Sequence, residues 1–381
     1  MHETKSASHA ASLAILIGTW LLVTCTQPIA AQWSSFRGDP QLTGVSRERL
    51  PMSLEPIWTA EIPGGVESTA AISGGAVFVG SLNGTFHSLD LETGKENWRL
   101  EGEDEIKSSP LVANGLVYFG DEAGAFRALS ASTGEPRWIY MAEGGITSSA
   151  NLAHGCILFG SYDNFLYCLD PEDGTLKWRL ETEGYVNSTP AVIGDTAITA
   201  GCDGYLRTVN LLDGSQVGKI EVGDYVAASA AVVGNTAFVG TFGNQFLGID
   251  LESKQVSWSY RNPAGEFPFY ASAAATSDIV IVGGRDKIVH ALDPTTGKAL
   301  WTHSMKARID ASPVIAGDVV YVASKSGELA SLDLKTGSLV WKFETGSPIV
   351  ASPAISNGRL VIGTLDGTVY AFAGKQENPP L

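Results

Sequence analysis

The stretch LDLETGKENW, residues 89–98, decides the fold because near copies of it recur along the chain. Seven copies occur about 40 residues apart, at 89–98, 129–138, 169–178, 209–218, 249–258, 292–301 and 332–341. A second motif, STAAISGGAVFVGS at 68–81 in its first copy, precedes each of these phrases and also occurs in an eighth unit. The units run from about Val66 to Phe372. A period of this length indicates a repeat architecture.

Each unit contains four short strand patterns separated by turns. The stretch AVFVGS (76–81) alternates in the period of a strand, and Asn83-Gly84 supplies a tight hairpin turn. Asp90 and Gly94 bound a second turn, where a carboxylate accepts backbone N–H bonds and glycine supplies a positive φ. Helical periodicity is absent, so the sequence predicts an all-β chain.

Four antiparallel strands per 40-residue unit predict an eight-bladed β-propeller. The last unit, from residue 367, ends before its outer strand, whereas SLEPIWTAEI (53–62) stands alone before the first unit. We therefore expect residues 53–62 to complete the eighth blade and close the ring, which removes two free sheet edges. The domain so defined is 53–376. A closed ring has no edge strand that demands a mate, so we expect a monomer.

Tryptophan recurs near the end of nearly every unit. We expect these side chains on the outer strands, as scaffold residues that fill the space where blades diverge: Trp58, Trp98, Trp138, Trp178, Trp258, Trp301 and Trp341. Gly218 replaces Trp in the fourth unit, so the fourth outer strand is predicted to make the weakest contact between blades.

The first 31 residues have the pattern of a secretory signal peptide, with Lys5 before an apolar run at 13–23 and cleavage expected after Ala31. The run is too short for a membrane span, so none is expected after cleavage. A lipid anchor at Cys25 is the alternative, although Thr24 fits a lipobox poorly. These features predict a periplasmic or secreted protein that could associate with the outer membrane. Residues 32–52 form a leader, and 377–381 a tail.

Charge and cysteine content exclude other classes. The net charge of −16 disfavours a nucleic-acid partner. After cleavage Cys156, Cys168 and Cys202 remain, without the spacing of a zinc site. Cys156 and Cys168 fall on consecutive predicted strands, where a hairpin disulfide is conceivable, but buried free thiols are the favoured interpretation.

The phrase ALDPTTGKALW (291–301) resembles the repeat of the pyrroloquinoline-quinone-type propellers. Two branches share it: quinoprotein alcohol dehydrogenases, and the non-catalytic outer-membrane assembly factor BamB with its periplasmic relatives. The motif WSSFRGDPQLTGVS (33–46) resembles the leader of a group of secreted bacterial proteins in this family. The dehydrogenase branch has an adjacent Cys-Cys pair and long pocket loops, which this chain lacks. The resemblance therefore favours the BamB-like branch without a cofactor.

Candidate site residues lie where each inner strand begins, because the units differ most there. We expect these residues near the mouth of the central channel: Glu67, Lys107, Thr147, Asn187, Ala227, Tyr270, Asp310 and Val350. Glu67, Asn187 and Asp310 could hold calcium and, with it, the quinone, but a hydrated funnel of mixed polarity is favoured. The position before each is always apolar, from Val66 to Ile349, and is assigned to packing between blades.

Aromatic and cationic residues on the same face indicate a surface for an envelope protein partner. The candidates are Tyr185, Tyr225, Phe267 and Arg308, since such side chains are enriched at protein interfaces. The preferred function is a non-catalytic binding scaffold. The alternatives are a quinone- and metal-dependent oxidoreductase with a reduced pocket, and a polysaccharide-binding module that uses Tyr185 and Tyr225.

Overall fold

The computed structural model describes residues 1–2, 32–263 and 265–375, and these contain strands but no helix. Residues 3–31, which hold most of the predicted signal peptide and Cys25, lie outside the described residues, as does the tail 377–381. Two strands precede the repeats: β1 (Val45–Ser46) and β2 (Leu54–Glu61).

Eight sheets follow one another as the blades of a propeller, which confirms the predicted fold. Blade 1 contains β3 (Ala71–Ser73), β4 (Ala76–Gly80), β5 (Phe86–Asp90) and β6 (Glu96–Leu100). Blade 2 contains β7 (Leu111–Ala113), β8 (Leu116–Gly120), β9 (Ala125–Ser130) and β10 (Pro136–Met141). Blade 3 contains β11 (Asn151–Ala153), β12 (Cys156–Gly160), β13 (Phe165–Leu169) and β14 (Leu176–Glu181). Blade 4 contains β15 (Ala191–Ile193), β16 (Thr196–Ala200), β17 (Tyr205–Asn210) and β18 (Gln216–Glu221).

The second half of the ring repeats the same order. Blade 5 contains β19 (Ala231–Val233), β20 (Thr236–Gly240), β21 (Phe246–Asp250) and β22 (Gln255–Tyr260). Blade 6 contains β23 (Ala274–Ala275), β24 (Val280–Gly283), β25 (Ile288–Leu292) and β26 (Ala299–Ser304). Blade 7 contains β27 (Val314–Ala316), β28 (Val319–Ala323), β29 (Glu328–Asp333) and β30 (Leu339–Glu344). Blade 8 contains β31 (Ala354–Ser356), β32 (Arg359–Gly363) and β33 (Thr368–Gly374).

Strand β2 completes blade 8, as the sequence predicts. It pairs antiparallel with β33, from Leu54 opposite Gly374 to Glu61 opposite Thr368. The first and last parts of the propeller therefore share one sheet, which closes the ring and leaves no unpaired outer edge on β33.

The recurring Trp and Gly form one interlocking contact between neighbouring blades. Gly94 has φ +71°, and a Cβ added there would lie 2.6 Å from the Trp58 ring of the preceding blade. The Trp58 indole N–H also donates to the Leu91 carbonyl at 2.9 Å. The same hydrogen bond, between 2.9 and 3.1 Å, recurs in five further pairs: Trp98 with Ala131, Trp138 with Pro171, Trp178 with Leu211, Trp258 with Pro294, and Trp301 with Leu334. Glycine is thus required for both its φ and its lack of a side chain.

The contact between blades 4 and 5 has different residues at both positions. Gly218 stands in place of Trp, and in the next blade Lys254, with φ +58°, stands in place of Gly. The methylene carbons of Lys254 lie where a Gly218 side chain would begin, and its ammonium donates to the Val217 carbonyl at 2.8 Å. A lysine chain therefore fills the position that a Trp ring occupies elsewhere.

The apolar residue before each candidate site residue packs between neighbouring blades near the axis. These eight side chains are all buried, as predicted: Val66, Ile106, Ile146, Val186, Val226, Phe269, Ile309 and Ile349. Several of them contact a glycine on the second strand of the neighbouring blade; a Cβ added to Gly80 would lie 2.3 Å from Ile106. The blades can approach closely at the axis because that glycine leaves the space free.

A closed circle of hydroxyl groups lines the channel. Its members lie just before the inner strands, two residues after each candidate site residue. Each hydroxyl accepts the N–H of the equivalent residue in the preceding blade, at 2.8 to 3.2 Å. The members are Thr69, Ser109, Ser149, Thr189, Ser229, Ser272, Ser312 and Ser352. The circle joins all eight blades and satisfies a backbone donor in each.

The leader makes a full turn around the far end of the channel, and we call residues 33–48 the belt. Its carbonyls accept inner-strand N–H groups of six blades at 2.7 to 2.9 Å, in the order of the chain: Trp33 from Ile72, Ser34 from Val112, Pro40 from Val192, Gln41 from Val232, Thr43 from Ala275, and Gly44 from Ile315. Blade 3 is reached through the Asn151 amide, which donates to Pro40 O at 2.9 Å. Blade 8 is reached through Glu48, which accepts from the N–H groups of Asn357 and Gly358.

Buried side chains anchor the belt. Trp33 and Arg37 are both almost fully buried. The Arg37 guanidinium donates to the carbonyls of Ala273 and Pro313, which belong to blades 6 and 7. Burial lowers the pKa of Arg37 to about 9, against the opposing charge of Asp39. These contacts hold the belt against blades 6 and 7.

The interpretation of Cys156 and Cys168 as free thiols is wrong. The two residues form a disulfide across β12 and β13, with Cα atoms 5.4 Å apart. Cys168 lies opposite Leu158, two residues from Cys156, so both sulfur atoms point to the same face of the blade. Cys202 remains a free thiol.

Candidate functional site

The open end of the channel forms a funnel. Its wall includes the eight candidate residues from Glu67 to Val350, which lie in the connections just before the inner strands, together with the hydroxyl circle. Phe36 of the belt also lines the cavity, whose volume is about 390 Å³. The belt lies at the opposite end of the channel, and we call the open face the mouth.

Backbone hydrogen bonds hold the mouth loops in the same way in every blade. The hairpin between the second and third strands donates an N–H to the connection that enters the inner strand; Phe242 donates to Tyr225 O and Cys202 to Tyr185 O, both at 2.9 Å. These contacts use no side chains. The side chains of the mouth loops can therefore differ from blade to blade without changing the loop backbone.

Aromatic side chains are concentrated on the mouth of blades 3 to 6. Tyr185, Tyr225 and Phe267 are 52%, 58% and 47% exposed. Tyr162 packs against Tyr185 with ring centres 5.1 Å apart and ring planes tilted by 33°, and Phe242 meets Tyr270 edge-on at 6.1 Å. We call these six residues the aromatic arc. Two predicted partner residues, Tyr185 and Tyr225, thus lie on adjacent blades at one side of the funnel.

Charged side chains occupy the mouth of blades 6 and 7. Asp310 is buried and accepts from Arg285 Nε at 2.8 Å, with Arg308 Nε at 3.2 Å on its other oxygen. Lys325 lies 4.0 Å from the same carboxylate. The Arg285 guanidinium also lies over the Tyr270 ring, 4.2 Å from its centre. Arg308 is therefore engaged with Asp310 beside the aromatic arc.

A second charged group lies on blade 2. The Lys107 ammonium is 2.6 Å from Glu105 and 3.1 Å from Glu122. Burial works against its charge, but the hydrogen bonds to both carboxylates outweigh this effect and raise the pKa of Lys107.

Glu67 on blade 1 differs from the other charged residues of the funnel. Its carboxylate makes no hydrogen bond or ion pair within 4.0 Å in the part of the chain that the structure describes. Burial raises the pKa of Glu67, while Lys107 and Lys325 oppose the shift from a greater distance. Glu67 is thus a half-buried acid with no direct counter-charge.

A family model decides the relationship of the chain to known proteins. The model described as outer membrane protein assembly factor BamB matches residues 51–153, 142–285 and 284–377. The chain belongs to the BamB-like propeller family. No curated protein sequence matches the chain.

Solved structures from both branches share the fold of this BamB-like chain. BamB from Moraxella catarrhalis aligns with a TM-score of 0.72 at 18% identity, over 86% of this chain and 100% of that one. A quinohemoprotein alcohol dehydrogenase from Comamonas testosteroni aligns with a TM-score of 0.77 at 15% identity, over 92% of this chain and 82% of that one. The computationally designed protein Ika8 aligns with a TM-score of 0.73 at 18% identity, over 82% and 98%. At these identities the likeness concerns the fold alone.

The three predicted calcium ligands of this BamB-like chain do not form one group of unpaired side chains. Asp310 is already held by Arg285 and Arg308, and Asn187 lies on blade 4, three blades from Glu67. Among the described residues, no group of three His, Cys, Asp or Glu side chains could hold a metal ion. These three residues therefore do not fit the calcium site that the dehydrogenase branch implies.

Several residues of the site were not foreseen from the sequence. Tyr162 and Phe242 lie on hairpins between the second and third strands, a position that the sequence alone did not bring next to the inner strands. Arg285 occupies the same hairpin position in blade 6. The available signal was the variation at that position, which reads Leu, Glu, Tyr, Cys, Phe, Arg, Lys and Leu around the ring.

Proposed function

We propose that this BamB-like propeller is a non-catalytic scaffold of the cell envelope that binds a partner protein on its mouth face. The observation that carries the proposal is the aromatic arc, in which half-exposed Tyr185, Tyr225 and Phe267 lie beside Arg308 on one side of the ring. Exposed aromatic side chains and arginine contribute most of the energy at many protein interfaces. The family's description as an assembly factor for outer-membrane proteins agrees with such a role.

An extracytoplasmic location is part of the proposal. The signal-like residues 1–31 and the disulfide between Cys156 and Cys168 both agree with an oxidising compartment. Among the residues that the structure describes, no helix has the length and apolar character needed to cross a membrane. The oxidoreductase alternative has less support, because Asp310, one of its predicted calcium ligands, is paired with Arg285 and Arg308.

Chemical crosslinking in the native envelope, followed by recovery of the tagged protein, tests the proposal. We expect one recurrent partner with the wild type and at least a tenfold lower yield with Tyr185→Ala combined with Tyr225→Ala. The matched control is Leu212→Ala, which removes a 74% exposed side chain from a turn on the belt face. Equal loss with both variants, or none with the tyrosine variant, would contradict docking at the mouth.

A further inference from the structure

The funnel can receive a group from the mouth side. The residues from Glu67 to Val350, the hydroxyl circle and Phe36 of the belt line its wall. A partner bound to the aromatic arc would stand at the rim of this cavity, because Tyr162 and Tyr270 belong to both the arc and the funnel wall. A side chain of the partner can therefore enter where the docking surface meets the cavity.

The ionisable groups of the wall favour a cation. Three carboxylates, Glu67, Glu122 and Asp310, line the cavity together with one ammonium, Lys107. Glu122 is paired with Lys107, and Asp310 with Arg285 and Arg308, with Lys325 4.0 Å from the same carboxylate. Glu67 keeps a negative charge that no described side chain neutralises within 4.0 Å. An unpaired, half-buried carboxylate is stabilised by an incoming opposite charge.

Uncharged groups of the wall also favour a ligand that donates hydrogen bonds. Asn187 Oδ1 and Thr147 Oγ1 line the cavity on adjacent blades, and both oxygens are buried without a hydrogen-bond partner among the described residues. The Asn187 oxygen can only accept a hydrogen bond, so its ligand must carry N–H or O–H donors. Tyr162 and Tyr270 add aromatic faces, and Arg285 already shows a cation placed over Tyr270.

We infer that the funnel binds the cationic end of a lysine or arginine side chain that the partner protein presents, with Glu67 as its counter-charge. This inference rests on the proposed docking of a protein at the mouth. The ammonium or guanidinium group donates to Glu67. The alkyl part of the side chain lies between the tyrosine rings. The net charge of −16 additionally favours a basic partner.

Small probes test the funnel without knowledge of the partner. N-acetyl-lysine methylamide, N-acetyl-arginine methylamide and N-acetyl-norleucine methylamide are each titrated into the mature protein, and binding is followed by NMR chemical-shift changes. We expect saturable binding of the lysine and arginine probes. The norleucine probe, which has the same alkyl chain as lysine without its charge, should bind at least tenfold more weakly. Equal binding of norleucine and lysine would overturn the inference.

Two variants localise the effect. Glu67→Gln keeps the size of the side chain and removes its charge, and we expect it to weaken the lysine probe at least tenfold. Glu252→Gln removes the same charge from a turn on the belt face and should leave the affinity unchanged. Unchanged affinity with Glu67→Gln would overturn the assignment of Glu67 and, with it, the inference. Because the crosslinking test of the scaffold uses the tyrosine variants, failure of the probes is distinguishable from failure of docking.

Discussion

The two ends of the channel use the same repeat in opposite ways. At the belt end, six blades offer one backbone N–H each from equivalent inner-strand positions, and the leader accepts all six. At the mouth, backbone hydrogen bonds fix the loops, and the side chains vary around the ring. Because backbone groups hold the mouth loops, the side chains there can vary without changing the loops. We therefore expect the belt end to contribute stability, and the mouth is the proposed binding surface.

This division predicts that a change at the belt end alters unfolding, whereas a change at the mouth alters binding.

Removal of residues 32–46 is expected to have the largest effect. It exposes six backbone donors and the site of Trp33, and should lower the free energy of unfolding by at least about 5 kcal/mol, as measured by chemical denaturation. Gln41→Ala is the control, because it retains the belt carbonyl and should change the value by less than about 0.5 kcal/mol. A truncated protein with the same denaturation midpoint as the wild type would contradict the structural role of the belt.

A smaller effect is expected at the turns of the belt face. In Gly94→Ala the new Cβ combines a positive φ with a contact 2.6 Å from the Trp58 ring. This substitution should lower the free energy of unfolding by about 2 to 4 kcal/mol. Gly74→Ala has φ +60° but no atom within 4 Å of the new Cβ, so about 1 to 2 kcal/mol is expected. Denaturation midpoints of the two variants separate the contact from the conformational cost. Equal losses would show that the Trp contact contributes little.

The exceptional contact between blades 4 and 5 allows a double-mutant cycle. Gly218→Trp alone should destabilise the protein, because its Cβ would lie 2.7 Å from Thr208 Oγ1 and its indole would compete with the Lys254 chain for one space. Combined with Lys254→Gly, the same substitution should lose less stability, because only the conflict with Thr208 remains. We expect a coupling energy of at least about 1 kcal/mol between the two changes. Additive losses would mean that Lys254 does not fill the Trp position.

The smallest change in stability is expected at the mouth. Burial raises the pKa of Glu67, so its ionised form is less stable in the folded protein than in the unfolded chain. Glu67→Gln should therefore raise the free energy of unfolding at pH 7, by less than about 1 kcal/mol because the site is partly solvated. The difference from the wild type should shrink as the pH falls through the pKa of Glu67. A clear loss of stability at pH 7 would assign Glu67 a structural role.

The sequence was sufficient for the features that the repeat specifies. The eight blades, the closing strand 53–62, the positions of the Trp residues and the buried row from Val66 to Ile349 all follow from a period with one role for each position. The hydroxyl circle could also have been found, because Ser or Thr stands at the same place in every unit. Its hydrogen bonds were missed because they join different blades.

Features that depend on unique contacts were not predictable in this way. The path of the belt depends on carbonyl groups, which every residue carries, so its sequence does not reveal its partners. Asp310 has the right chemistry for a metal ligand, but Arg285 approaches it from a hairpin and changes its role. Cys156 and Cys168 were interpreted as thiols because spacing alone does not show that two side chains share one face.

Photo-crosslinking from both faces in the native envelope tests the central claim most directly. A photoreactive amino acid is placed at Tyr225 on the mouth and, in a second protein, at Leu212, which is exposed on the belt face. We predict a discrete crosslinked partner from position 225 and none from position 212. The same partner captured from both positions, or from position 212 alone, would contradict the assignment of binding to the mouth.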